Sequence, residues 1–214
     1  MNLVIDGQEY REFDSAEEVE IWARKHYDSL LALPKENEVH KMISGYTGQY
    51  YKWYNTLLRY HLPVDSKEYR KIDPEGKRDD IKEDIKEIQK IKEVLCKYSL
   101  PENIIVYRLT HKKDIKVLCN GRPIRIGAEF SDKAFYSTTL IRSLLRNFGW
   151  QNHCDCVLKL YLPKGLPGAY VSLDKEWSCL DEQEFLLPPN IKFRILKIHH
   201  FTYPLKIECM AIYD

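Results

Sequence analysis

A net excess of either charge is almost missing from this 214-residue chain. Its 33 lysines and arginines meet 32 aspartates and glutamates and leave a net +1. That excludes a global positive field of the kind that gathers nucleic acid or coats an anionic membrane. No apolar run approaches the roughly 20 residues that a membrane-crossing helix needs. The opening MNLVIDGQEYREF has neither a basic start nor an apolar h-region, so no export signal is readable. A mature fragment, or a protein exported by a signal-independent route, would open in the same way. Cysteine occurs six times, at Cys96, Cys119, Cys154, Cys156, Cys179 and Cys209, without the spacing of a disulfide framework. A chain of this length can bury a real core without staples, so free thiols in a reducing compartment are expected. The HCDC stretch, His153 to Cys156, would need His199, His200 or Cys209 to complete a metal site. No ligand-pair spacing supports that, and no metal is expected.

What is present is an ordinary globular balance, 44% apolar and 30% charged residues. The first half reads helical. SAEEVEIWARKHYDSLLAL opens on a capping box, Ser15 with Glu18, and repeats apolar residues at Val19, Trp22, Ala23, Tyr27 (or His26), Leu30 and Leu31. EVHKMISGYTGQYYKWYNTLLRYHLP predicts a second and a third helix, broken around Gly45 and Gly48 and stopped by Pro63. DDIKEDIKEIQKIKEVLCKYSLP sets Ile81, Ile85, Ile88, Ile91, Leu95 and Tyr98 on one stripe of an amphipathic helix. After Pro101 the period changes: IIVYR, CVLKLYL, AYVS, EFLL, KFRILKI and KIECMAIY read as short strands. Helices followed by strands predict an α+β fold. No repeat, low-complexity tract or linker is readable. The simplest division is one domain over 1–214, helical over 1–100 and mainly β over 101–214.

Four stretches carry chemistry. In EQEFLL, read as a strand, Glu182 and Glu184 would share a face and raise each other's proton affinity. Paired carboxylates suit an oxocarbenium-like transition state, one anion facing the sugar cation and the other handling a proton. The plain alternative is a solvated strand end. Arg108 ends the strand IIVYRL, either as a surface arginine or as a fork for phosphate or carboxylate. Ser137, Thr138 and Thr139 follow an aromatic strand start, either as strand-compatible residues or as hydroxyls that hold a carboxylate in place. SGYTGQYYKWYNTLLR concentrates aromatics at a helix beginning, suited to core packing or to stacking on a base.

In series, these stretches resemble the Arg–Ser–Glu class of mono-ADP-ribosyltransferase toxins, above all the enzymatic components of actin-modifying binary toxins and their insecticidal relatives. The likeness runs from about Phe13 to the final strand. EEVEIWARKHY matches the family's tryptophan helix, and YTGQYYKWYNTLLR its Y-T-G-x-x-Y-x-x-x-N-x-x-L-R pattern with Tyr51 as the second tyrosine. VYR, STT and EQEFLLP match its arginine strand, S-T-S motif and E-x-E-x-L-L-P motif. The third position is Thr139 where the family has serine, but the hydroxyl survives.

The resemblance implies N-terminal helices packed on a two-sheet, mostly antiparallel β core, with NAD as substrate and no metal. It implies that Arg108 holds the NAD phosphates and that Ser137 orients the catalytic Glu184. Thr138 and Thr139 share the S-T-S motif at the cofactor. Tyr46, Tyr51 and Asn55 line the NAD cleft, and Phe148 stacks near nicotinamide. Glu182 occupies the specificity position, where glutamate goes with arginine as acceptor and glutamine with asparagine. Trp177, in VSLDKEWSCLDEQE, is the aromatic of the substrate-recognition loop; it is a target-protein contact or a core tryptophan. The expected function is NAD-dependent mono-ADP-ribosylation of a protein arginine, actin being the leading target, by a bacterial toxin delivered into the host cytosol. One domain matches where binary-toxin enzymes carry two, so a separate delivery component is part of the expectation. An NAD glycohydrolase using water, and a catalytically silent NAD- or partner-binding domain, are the alternatives.

Overall fold

The structure, a computed structural model, describes residues 2–5, 7–60, 81–146, 153–173 and 182–213. Helix α1, Ala16–Leu31, starts as the capping box requires: the Ser15 hydroxyl accepts from the Glu18 N–H at 3.2 Å. The Glu18 carboxylate in turn accepts from the Asp14 N–H and from Arg11. Val19, Trp22, Ala23, Tyr27 and Leu30 form its buried stripe, with Tyr27 rather than His26 pointing inward. Trp22 and Tyr27 rest on Phe185, with ring centroids 6.4 and 6.1 Å away.

Helix α2, Glu38–Gly45, does not break where the two glycines predict it. A π-helical segment, Tyr46–Tyr50, carries the chain directly into α3, Tyr51–Tyr60. Gly45 keeps right-handed helical torsions, and the wider turn absorbs the change without ending the helix. Pro63 lies outside the described residues. Helix α4, Ile81–Lys97, departs from its expected stripe at one position: Ile85 is exposed and Asp84 turns inward. The Trp53 indole N–H donates to Asp84 at 2.6 Å, which satisfies the carboxylate and lets it displace an isoleucine from the core.

Ten strands form one hydrogen-bonded sheet among the described residues, eight of them along a single path. They are β1 (Asn2–Ile5), β2 (Gln8–Arg11), β3 (Ile104–Thr110), β4 (Glu129–Ser131), β5 (Tyr136–Thr139), β6 (Cys156–Leu162), β7 (Ala169–Tyr170), β8 (Glu184–Leu187), β9 (Lys192–His199) and β10 (Leu205–Ile212). The order is β4-β9-β10-β6-β3-β5-β8-β7, with β2 joined to β3 and β1 to β2. Only β10–β6 and β2–β3 run parallel among these pairs, so the sheet is mixed and mostly antiparallel. The two expected sheets meet at a single pair, Tyr107 opposite Thr139, which makes the path continuous.

Strand β3 separates two apolar clusters by alternation: Ile104 and Val106 enter the main core beneath the helices, Ile105 and Tyr107 a smaller one with Tyr10 and Tyr161. The β1–β2 hairpin, the short helix α5 (Lys112–Leu118), β4 and a 3-10 turn at Arg142–Leu144 had no sequence forecast. The hairpin turns at Gly7, whose φ of +77° suits glycine. Cys96, Cys119, Cys154, Cys156 and Cys209 are free thiols, while Cys179 lies outside the described residues. Among the described residues no helix is long and apolar enough to cross a membrane, and no group of three or more His, Cys, Asp or Glu is placed for a metal ion.

Candidate functional site

The seam between β3 and β5 gathers the charged groups. Arg108, near the end of β3, is half-buried; its guanidinium donates to the Ser137 carbonyl and lies 4.4 Å over the Tyr136 ring. Among the described residues it makes no ion pair. A ring face and one carbonyl orient the guanidinium but leave its charge uncancelled, the state of a cation prepared for an anionic ligand.

Opposite Arg108's neighbour, β5 pairs with β8 so that Thr139 faces Glu184 and Ser137 faces Leu186. The Ser137 side chain hydrogen-bonds the Glu184 carboxylate. The two threonines are buried, and their hydroxyls turn inward: Thr138 donates to the Phe185 carbonyl at 2.6 Å and Thr139 to the Glu182 carbonyl at 2.7 Å. These bonds tie β5 to the segment that carries the glutamates.

The glutamates themselves do not obey simple alternation. Strand β8 begins at Glu184, and Gln183 has a left-handed φ of +47°, so the two carboxylates part at a turn. Glu182 is exposed, and Glu184 only 7% exposed. Burial pushes the Glu184 carboxyl up to about 7; Glu182 adds to the rise, while Ser137 and Arg108 oppose it. Desolvation by surrounding protein raises Glu182 also, a shift that its exposure to water limits.

The helices supply the remaining wall. Tyr46, in the π-helical segment, is buried; its hydroxyl and the Asn55 amide bond each other, and Asn55 Oδ1 accepts from the Phe135 N–H at 3.1 Å. Burial first, then the nearby Glu184, raises the Tyr46 phenol, against Arg108 and Arg59. That mutual influence places Tyr46, Glu184, Arg108 and Arg59 in one electrostatic neighbourhood. Arg59 grips Asp132 through two nitrogens, at 2.9 and 2.6 Å. Neither Arg59 nor Asp132 stands out as a site residue by sequence; the arginine at the end of NTLLR is the available signal, and its partner lies far along the chain. Tyr51 stands apart, exposed, with Lys52 over its ring. Phe148 and Trp177 lie outside the described residues.

The structure therefore brings together Arg108, Ser137, Glu184, Tyr46 and Asn55, with Glu182 at the exposed edge. A buried carboxylate near neutrality can stabilise a developing cation, an uncancelled guanidinium can hold an anion, and an exposed carboxylate can receive a cationic partner. Two grooves in the described surface lie elsewhere. One, of about 450 Å³, runs between α1 and β7 beside Arg24, Tyr170 and Ser172; the other, of about 580 Å³, lies beside Arg11, Glu102 and Lys164. Neither is lined by Arg108, Ser137 or Glu184, so chemistry and pairing rather than cavity size identify the site.

A family model described as ADP-ribosyltransferase exoenzyme matches residues 19–207. An NAD(+)–arginine ADP-ribosyltransferase, EFV, of Enterococcus faecalis is 30% identical over 111 residues, half of this chain and 21% of that relative. The chain thus matches only about a fifth of the length of that curated relative. Among solved structures, Plx2a, an ADP-ribosyltransferase toxin from Paenibacillus larvae, is similar with a TM-score of 0.66 and 23% identity, covering 94% of this chain and 99% of its own. BECa, an ADP-ribosylating toxin of a binary enterotoxin of C. perfringens, solved with NADH, has a TM-score of 0.68 and 20% identity, covering 99% of this chain and 54% of its own. At these identities the structural likenesses establish the fold.

Proposed function

The chain belongs to the ADP-ribosyltransferase exoenzyme family, and from that membership we propose that it is an NAD-dependent mono-ADP-ribosyltransferase with a protein arginine as acceptor. The observation that carries the reading is the meeting of Arg108, Ser137 and Glu184, remote in sequence, around one seam of the sheet. Arg108 holds the pyrophosphate, while Arg59 stays paired with Asp132. Tyr46 and Asn55 form the wall against which the dinucleotide lies; Phe148 and Tyr51 are further contacts by their positions in the family motifs. The bond between nicotinamide nitrogen and ribose C1′ breaks, and nicotinamide leaves with the bonding pair, which neutralises its ring.

Glu184, oriented by Ser137, stabilises the positive charge that develops on the ribose. Its raised pKa falls when the cationic nicotinamide ring of NAD arrives, because an opposite charge favours the carboxylate. Glu182, at the wet edge, receives the acceptor guanidinium and takes the proton released when its nitrogen bonds to C1′. Thr138 and Thr139 keep the glutamate segment in register. Trp177 is a contact for the target protein. The chain acts as one catalytic unit in a host cytosol, with actin the first target to test and a separate component for delivery.

Labelled NAD incubated with a eukaryotic lysate, beside a Glu184→Gln control, tests the reading. One labelled band near the size of actin, absent from the control and modified on arginine, is the expected result. Free ADP-ribose without labelled protein would make the enzyme a glycohydrolase, and no NAD turnover would make it a binding domain. Label on asparagine would overturn the role of Glu182.

A further inference from the structure

Gln183 sits between the two glutamates with no exposed surface and a left-handed backbone. Such torsions are strained for a side-chain-bearing residue and persist only where surrounding contacts impose them. Here those contacts are explicit. The Tyr170 hydroxyl donates to the Gln183 side-chain oxygen at 2.9 Å, and the Leu140 N–H to its backbone carbonyl at 3.1 Å. On either side, Thr139 holds the Glu182 carbonyl at 2.7 Å and Ser172 accepts from the Glu184 N–H at 2.8 Å. In a regular strand Gln183 would point away from a face shared by its neighbours. The left-handed turn divides them instead, Glu182 toward water and Glu184 into protein.

We propose that Gln183, anchored by Tyr170, is a positioning residue that fixes the turn and so keeps the two glutamates in separate environments. The buried carboxylate then serves the sugar alone, and the exposed one the acceptor. This rests on the transferase reading for its consequence, though the device is visible in the fold itself. Glu184 is faced by Arg108 from β3, Tyr46 from the π-helical segment, Ser137 from β5 and Glu182 across the turn. None of these groups is altered by changing Tyr170 or Gln183, which makes Glu184 a clean reporter.

Two variants test the proposal. Tyr170→Phe removes the anchoring hydroxyl alone. Gln183→Gly removes the anchored side chain while accepting a left-handed backbone freely, so it keeps the test alive if the first variant folds poorly. The Glu184 carboxyl is titrated by carbon NMR in wild type and in both variants, and NAD cleavage is followed against pH. Loosening the turn admits water, so the Glu184 titration and the acid limb of the cleavage profile should both move down, by about one pH unit. The kcat for cleavage should fall roughly fivefold to tenfold, the worth of one buried hydrogen bond, with KM for NAD unchanged. A purely structural glutamine would lower the melting temperature and leave titration and acid limb where they were; that result in both variants overturns the proposal. Absence of NAD cleavage by the wild type would sink the transferase reading separately, and the titration would still decide this one.

Discussion

Glu184 and Glu208 are glutamates on strands of one sheet, and the fold drives their carboxyls in opposite directions. Burial acts upward on both. Glu208, on β10, answers it with a hydrogen bond from Tyr161, a contact of 2.6 Å from His199 Nε2 and the nearby charge of Lys159, and its carboxyl is held below the ordinary range. Glu184 receives one serine hydroxyl and the more distant Arg108, and faces another carboxylate; it rises to about 7. A structural glutamate is given partners until its charge is comfortable, whereas the glutamate of the site keeps an unsatisfied charge for a ligand to use. The same contrast separates Arg59, clamped by Asp132, from Arg108, which has a ring and a carbonyl in place of a counter-ion.

The largest effect should come from Glu184→Gln, which removes the charge but keeps the shape. NAD cleavage should fall by a factor on the order of a thousand, as when one preorganised electrostatic group is lost, while folding is retained. Stability should move the other way. Because the folded carboxyl titrates above its ordinary value, its contribution is fully present below that value and is lost as pH rises through about 7. At pH 8 the variant should therefore melt above wild type, by up to about 3 kcal/mol. The difference should vanish near pH 4, which thermal melts at both pH values would check. An equal gap at both would mean that Glu184 is not buried as a reluctant anion.

Next is Arg108→Lys. A point charge cannot reproduce the planar fork over Tyr136, so kcat/KM for NAD should drop roughly a hundredfold, mostly through weaker NAD binding. Calorimetry of NAD binding separates this from a folding defect. Glu182→Gln should act on the other half of the reaction. Transfer to an arginine acceptor should fall about tenfold or more, while hydrolysis of NAD by water stays within about threefold. Parallel measurement of both products checks it, and equal losses would merge the two roles that the turn at Gln183 keeps apart.

The smallest effect on catalysis belongs to Glu208→Gln. Cleavage should be unchanged, but stability at pH 7 should fall by about 1 kcal/mol as charge-assisted hydrogen bonds weaken. The sign is opposite to that of Glu184. A carboxyl held below its ordinary value contributes above that value, and the contribution is lost as pH falls through the folded one. The gap between variant and wild type should therefore close in acid, where that of Glu184→Gln also closes but from the other side.

Legibility in the sequence varied for identifiable reasons. The buried stripe of α1 and the strands β3, β6, β9 and β10 follow from local periodicity, because one apolar face must be covered wherever the segment ends up. The stripe of α4 failed at Ile85 because two adjacent positions, 84 and 85, are equally compatible with a helical face. A tryptophan thirty-one residues earlier in the chain chose the aspartate. The glycine pair misled for a similar reason: conformational freedom permits a break but does not compel one. The inward bonds of the two threonines of STT were not legible, because hydroxyls carry no label for where they point.

The order of residue types alone determined which groups this protein would have for its chemistry, since arginine, serine and glutamate are defined by their side chains wherever they lie. Only the tertiary structure decided their condition: which glutamate stays wet, which arginine keeps its charge uncancelled, and where the chain turns left-handed between two carboxylates. Those are properties of surroundings built from distant parts of the chain, because the energy of a charge depends on the atoms that replace its water.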